Sequence, residues 1–553
     1  DCDLIFYIYK KATILEIDPS EGGSYDAEAK VWHGPKFYEF YDRKASVGRI
    51  LFEQMRRCPN SICQVSDTEQ MSITYEEALV NAIRVAESFR EQKFTQRDIV
   101  GITGRNTTHL MAVVLACFFN GIPVHAINAN QDEKAINALF DITKPKMIFF
   151  DGQDYTKIKN ATSQLKTSLC TLSNHLSNVP SVLDLMQPNG AEHKFRPAEL
   201  IDGPDQTLAV LCSSGTTGLP KAVNISNHKR FFDVLHFLTA EDVILVNSTL
   251  DWITGLIMLI ASIGVGAKRV ITERSFDVEY FMHLIPKYKI SFTILAPPLL
   301  AVLVNSPLID ANKLESLRYF AYGGSSCATR TQQLMQTYLR RARMLFVYGL
   351  TEFEGVLTIN YTLAGKPKSV GRLQPGFKAK ITNESGERLG PHIAGEICCA
   401  HERRWLGYYN NNAATETIYK ADGWFFTGDV GFFDEDGYLH VVDRKKHQLK
   451  YLGHQYCAFE IEEVIAEIPS VAEVCVFGIE REQEGDVAAA VVSSKQGSSL
   501  TAADVVSYVK EHIDCNYKQL NGGVLIVHEL PKLENSKLNV VAIKKLFLSK
   551  QDK

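Results

Sequence analysis

Ser213-Ser214-Gly215-Thr216-Thr217-Gly218-Leu219-Pro220-Lys221-Ala222 follows directly on the apolar run Leu208-Ala209-Val210-Leu211. Its first nine residues hold two glycines, four hydroxyl side chains and a lysine, enough N–H and O–H groups to surround phosphate oxygens. The ordinary nucleotide P-loop ends in Gly-Lys followed by Ser or Thr, and this stretch does not. It therefore reads as a phosphate-holding loop of another kind, against the plainer alternative of a polar surface loop.

The chain on both sides has the rhythm of an α/β protein. Ile99-Val100-Gly101-Ile102, the helical pattern from Leu110 to Phe119, Ile122-Pro123-Val124 and Met147-Ile148-Phe149-Phe150 alternate as βαβ units do. Val243-Ile244-Leu245-Val246, Arg269-Val270-Ile271 and Phe292-Thr293-Ile294-Leu295 repeat the pattern as strands buried on both faces. After about Gly371 the texture changes to short alternating strands with turns at Glu384-Ser385-Gly386 and Asp434-Glu435-Asp436-Gly437, which predicts a β-rich subdomain. Beyond the charged Asp443-Arg444-Lys445-Lys446 a second α/β rhythm begins, with a helix near Ala458 to Glu467, strands near Val474 to Gly478 and Ala488 to Val492, and a helix from Ala502 to His512. The expected fold is α/β: a large N-terminal body of α/β subdomains with a β-rich subdomain over residues 1–443, and a small mobile α+β domain over 444–553.

More segments stand in order beyond the loop: Gly323-Gly324-Ser325, Tyr348-Gly349-Leu350-Thr351-Glu352, Trp424-Phe425-Phe426-Thr427-Gly428-Asp429 and the charged junction. Each alone is a turn, a strand end or a solvated charge run; together they agree across levels. In this order the sequence resembles the adenylate-forming superfamily of acyl-CoA synthetases, 4-coumarate-CoA ligases, peptide-synthetase adenylation domains and beetle luciferases, closest in feel to insect luciferase-like acyl-CoA synthetases.

The resemblance implies a role for each residue. Ser213, Ser214, Gly215, Thr216, Thr217, Gly218 and Lys221 would hold phosphates. Gly323 and Gly324 would lie against the adenine, and Tyr348 with Gly349 would stack on it. Thr351 would touch the α-phosphate, Glu352 would hold Mg²⁺ with Thr217 as a second candidate, and Asp429 with Arg444 would take the ribose hydroxyls, a bidentate task suited to a fixed carboxylate. Lys446 stands at the hinge. Lys537 and Lys450 would serve adenylation and thioester formation in turn, while Trp252, Ala296 and Ser325 would line the acid pocket, within 293–297 and 323–325.

Three places depart from the family pattern. Asp251-Trp252-Ile253 stands where beetle luciferases have His-His-Gly, and Trp252 resembles the aromatic gate of fatty acyl-CoA synthetases, a core tryptophan being the alternative. Cys398-Cys399-Ala400-His401 replaces an Arg-Gly segment after Gly395-Glu396-Ile397. The usual Gly-Lys has become Ser536-Lys537, with Val541 in place of an arginine. If that glycine has a positive φ, Ser536 strains the turn by about 1–2 kcal/mol.

The resemblance thus implies an ATP-dependent acid–thiol ligase that uses ATP, Mg²⁺ and coenzyme A to convert a fatty or aryl carboxylic acid to its acyl-CoA. The alternatives are a luciferase-like monooxygenase acting on an adenylated acid, which Asp251-Trp252 argues against, and a catalytically weakened nucleotide-binding protein, which only Ser536, Val541 and the altered segment at Cys398 suggest. Composition excludes other classes. The 59 basic and 64 acidic residues are interspersed and leave a net charge of −5, so no basic face for nucleic acid is expected. The apolar run Gly255 to Ala267 is too short to span a bilayer. Twelve cysteines without C-x-x-C pairs read as reduced thiols of an intracellular protein. The cytoplasm is the expected location; peroxisomal relatives end in Ser-Lys-Leu, whereas this sequence ends Ser549-Lys550-Gln551-Asp552-Lys553.

Overall fold

Leu110–Asn120 is apolar on every side and buried along its whole length, which a helix tolerates only when packed on all faces. Ile253–Val265 is a second helix of this kind. Each ends on a glycine in the left-handed region, Gly121 at φ 69° and Gly266 at φ 79°, whose N–H closes the last turn. The amphipathic Val47–Arg57 packs against both. Each Leu, Val or Phe buried in such a core contributes about 1.5–3 kcal/mol.

The computed structural model describes residues 23–36, 45–213, 221–227, 231, 237–445, 448–452, 454–481, 483–495, 497–533 and 537–551. Among them the strands form four sheets. The first runs, in spatial order, Lys221–Ser226, Thr207–Ser213, Val124–Ala126, Val100–Thr103, Met147–Asp151, Ser168–Ser173, and is parallel except for the antiparallel edge Lys221–Ser226. The second centres on the parallel strands Arg343–Leu350, Tyr319–Gly323, Phe292–Leu295, Val243–Val246, Lys268–Ile271 and Ile62–Ser66, with antiparallel edges. The third is antiparallel and holds Phe377–Thr382, Gly395–His401, Phe425–Phe433 and Leu439–Arg444, extended by the short hairpin Ser24–Asp26 and Val31–His33.

One continuous core links these three sheets into a large N-terminal domain. The fourth sheet, built on the long pair Val471–Arg481 and Gly485–Ser494, has its own core with Ala458–Ala466 and Ala502–His512 and forms a smaller C-terminal domain. Burial on both strand faces explains why the parallel regions read as unbroken apolar runs.

The domains meet where the helix Ala458–Ala466 packs on the strand Leu439–Arg444 and where the helix Pro297–Asn305 packs on the strand Val471–Arg481. Glu463 Oε1 accepts from Thr329 N and Oγ1 at 3.1 and 3.2 Å, and Arg330 Nη1 donates to Glu467 O at 2.8 Å. Cys398-Cys399-Ala400-His401 proves to be the second half of the strand Gly395–His401; both cysteines are fully buried between neighbouring strands, so the segment belongs to the core. Among the described residues no helix is long and apolar enough to cross a membrane.

Candidate active site

The parallel strands of the second sheet end along one edge, and a cavity of about 970 Å³ opens there. Asn247, Thr272, Ala296, Gly323 and Leu350, each at or just past the C-terminal end of its strand, border it. Crevices of open α/β sheets hold ligands at this end of the strands.

The polar wall comes from the third sheet. Asp429 and Arg444 face each other across the antiparallel strands Phe425–Phe433 and Leu439–Arg444, and Arg444 Nε lies 3.0 Å from Asp429 Oδ1. Tyr348 Oη donates to Asp429 Oδ2 at 2.6 Å. The carboxylate is 3 % exposed and its orientation is fixed from both sides. Burial, and then the Asp429 charge, push the Tyr348 phenol well above its ordinary range, so it remains a donor. Each carboxylate oxygen can accept more than one bond, so a vicinal diol can join this arrangement. Gly428 and Arg444, the chain neighbour and the ion-pair partner of Asp429, border the cavity. Gly428 has φ 70°, a conformation that L side chains rarely adopt, just before the carboxylate.

Lys537, from the C-terminal domain, reaches the same cavity. Burial pushes its ammonium down to about 8; Arg444 lowers it further while Asp429 works the other way. On the far side Thr351 and Glu352 form a short turn directly after Arg343–Leu350, and Glu352 Oε1 accepts from Tyr408 Oη at 2.9 Å. Apolar side chains close the rest of the space, among them Ile257, Met258, Phe292, Ile294, Leu299 and Val347. Polar and apolar side chains thus line one cavity.

The sequence matches the AMP-binding enzyme family over residues 51–409, and the AMP-binding enzyme C-terminal domain over residues 460–537. The chain belongs to the AMP-binding enzyme family. It is 28% identical to a luciferin 4-monooxygenase of Photinus pyralis, over 93% of this chain and 96% of that protein. It is 27% identical to a probable 4-coumarate–CoA ligase of Dictyostelium discoideum, over 89% and 93% of the two chains. ATP-bound MatB from Rhodopseudomonas palustris has the same fold, with TM-score 0.81 and 22% identity over 91% of this chain and 99% of that one. These likenesses place the protein in the adenylate-forming superfamily.

In this AMP-binding enzyme Lys221, Trp252, Ala296, Gly323, Gly324, Gly349, Thr351, Glu352, Arg444 and Lys537 all border the cavity. Ser213 ends the strand Thr207–Ser213, while Ser214, Gly215, Thr216, Thr217, Gly218, Lys446 and Ser536 lie outside the described residues. Tyr348 and Asp429 themselves do not line the cavity, although their neighbours Gly349, Gly428 and Arg444 do, and three expected acid-pocket residues are elsewhere. Ser325 follows the left-handed Gly324 (φ 94°), its hydroxyl turned to Ser326 O, and it does not line the cavity; nor do Thr293 and Pro297 of the segment 293–297. Lys450 is exposed on Gln448–Tyr451 and does not border the cavity, so of the two lysines only Lys537 is at the site in this arrangement of the domains.

Tyr408 was not read from the sequence. No local signal marks it: it sits in an irregular strap, and the groups its hydroxyl and ring face meet, Glu352 and Lys221, are far away in the chain. As for a metal, among the described residues no three His, Cys, Asp or Glu side chains converge. The donor set instead suits Mg²⁺, which commonly rests on one or two carboxylates plus phosphate oxygens and water. Glu352 fits that part, since it borders the cavity and Tyr408 engages only one of its oxygens.

Proposed function

We propose that this AMP-binding enzyme is an AMP-forming acid–thiol ligase that activates fatty or aryl carboxylic acids and passes the acyl group to coenzyme A. The observation that carries this reading is the convergence of Lys537, Arg444 beside Asp429, Glu352 and an apolar wall on one cavity. In the first half-reaction a carboxylate oxygen attacks the α-phosphorus of ATP. The bond to the β-phosphate breaks, leaving an acyl-adenylate and pyrophosphate. Asp429 and Arg444 would hold the ribose, the 213–221 loop with Lys221 the phosphates, and Thr351 the α-phosphate. Lys537 would neutralise charge developing at phosphorus, so catalysis is positioning plus electrostatics. Mg²⁺ on Glu352, with Thr217 as a second candidate, supplies further charge neutralisation when bound.

In the second half-reaction a thiolate attacks the acyl carbonyl and AMP leaves. For that step we propose that residues 444–553 turn about Lys446, withdrawing Lys537 and bringing Lys450 to the adenylate. The apolar wall, with Trp252 at its edge, supports an acid with an apolar body. A panel of aliphatic and aryl acids, assayed for acid-dependent pyrophosphate release with and without coenzyme A, tests the reading. Release with no acid in the panel would overturn the ligase and leave a nucleotide-binding protein.

The likeness to luciferin 4-monooxygenase over most of the chain supports a second reading, oxidation of an adenylated acid by O₂. Asp251-Trp252, of which Trp252 borders the cavity, argues against it, and light emission with luciferin, ATP and O₂ would revive it.

A further inference from the structure

The segment Gly407–Tyr409 is laid against the strand that leaves the phosphate loop. Asn224 N donates to Gly407 O at 3.1 Å, Tyr409 N donates to Ala222 O at 2.7 Å, and Tyr408 is bridged to Val223 between them. Tyr408 N donates to Thr415 Oγ1 at 2.9 Å, and its ring stands edge-on to Trp405, with centroids 5.1 Å apart. The side chain, 5 % exposed, is therefore fixed along its whole length. It meets two functional groups at once: its hydroxyl donates to Glu352 Oε1 at 2.9 Å, and its ring lies 4.9 Å from Lys221 Nζ.

We infer that Tyr408 is a positioning residue for MgATP, orienting the metal-binding carboxylate of Glu352 through its hydroxyl and the phosphate-loop Lys221 through its ring. This inference rests on reading the site as a MgATP site. A glutamate side chain must lose rotamer freedom to present one oxygen to a cation, and a bond on the other oxygen removes that freedom beforehand. Oε1 is occupied by a donor that cannot itself ligate the metal while protonated, so the second oxygen is the one offered to the cavity. The face of an aromatic ring attracts a cation, so the same side chain favours the position of the exposed Lys221 ammonium beside the cavity over others it could sample.

The test is ATP binding by calorimetry on the full chain, with Mg²⁺ and in EDTA, for wild type, Tyr408→Phe, Tyr408→Leu, Glu352→Gln and the double variant Tyr408→Phe/Glu352→Gln. Phenylalanine keeps the ring and its packing on Trp405 and removes only the hydroxyl. Tyr408→Phe should reduce the Mg²⁺-dependent gain in ATP affinity about tenfold, leave affinity in EDTA unchanged, and add nothing once Glu352 is glutamine. Tyr408→Leu should in addition weaken binding in EDTA about threefold. Equal Mg²⁺ dependence in wild type and Tyr408→Phe, or an undiminished effect in the Glu352→Gln background, would overturn the inference while leaving the MgATP site standing. A wild type that binds no ATP would overturn both.

Discussion

Replacing Asp429 with asparagine tests the nucleotide site at the residue on which its polar wall is organised. The carboxylate is 3 % exposed, and it is held by Tyr348 Oη at 2.6 Å and Arg444 Nε at 3.0 Å. Asparagine keeps the size but exchanges one acceptor oxygen for an NH₂ donor, which must then face either Tyr348 or Arg444. Arg444 has 42% of its side chain exposed, so water can replace its lost partner and the effect on folding should be small. The ribose is different: under the proposed assignment one of its two hydroxyls would lose a charged acceptor beside Gly428 and Arg444, which border the cavity. A hydrogen bond to a charged group is worth about 1.5–3 kcal/mol, so ATP affinity should fall roughly 10- to 150-fold. Asp429→Ala removes both acceptors and should cost up to about twice that free energy. Calorimetric titration with ATP gives the affinity, and a thermal melt verifies that the variant is folded. A folded Asp429→Asn protein with ATP affinity within about twofold of wild type would refute the ribose assignment.

Lys537→Ala should slow pyrophosphate release about 10²–10³-fold while a supplied acyl-adenylate is still converted to the CoA ester, and Lys450→Ala should do the reverse; equal loss in both steps would exclude alternating domain positions. Because burial holds the Lys537 ammonium down to about 8, it loses its proton as pH rises through that value, so kcat/KM for adenylation should decline above about pH 8. A profile that stays level to pH 9.5, or one whose upper limb survives in Lys537→Ala, would show that this proton is not needed. Trp252→Ala should change the preferred acid length or the KM for acid far more than the KM for ATP; a change in thermal stability alone would make Trp252 a core residue.

The α/β body was legible because burial on both faces leaves a signal in the sequence itself. Leu110–Phe119 and Val243–Val246 are apolar throughout because almost every position in them is buried, and a polar side chain there needs a partner such as the ones Ala86 and Arg90 give Asn120. The helix Ala502–His512 was equally plain, with Thr501 and Asp504 forming its capping box. The hairpin Ser24–Asp26 and Val31–His33 was not legible, because three-residue strands fix no period and their partner, Phe377–Thr382, is far along the chain. The same reason separates the site residues that could be read from those that could not. Asp429, Glu352 and Lys537 stand in short motifs of fixed order. Tyr408 acts through Glu352, Lys221 and Trp405, and only folding brings those contacts together. The resemblance puts Ser325 in the acid pocket with Gly323 and Gly324, whereas its hydroxyl turns to Ser326 O and only the two glycines line the cavity.

The bond changes themselves can be followed with a carboxylic acid labelled with ¹⁸O in both carboxyl oxygens, incubated with the protein, MgATP and coenzyme A. Attack of a carboxylate oxygen on the α-phosphorus, followed by thiol attack at the carbonyl, leaves that oxygen on the phosphate. Mass spectrometry should therefore find AMP carrying one ¹⁸O for each acyl-CoA formed, with unlabelled pyrophosphate. Unlabelled AMP, or ADP and phosphate in place of AMP and pyrophosphate, would contradict an acyl-adenylate at this site.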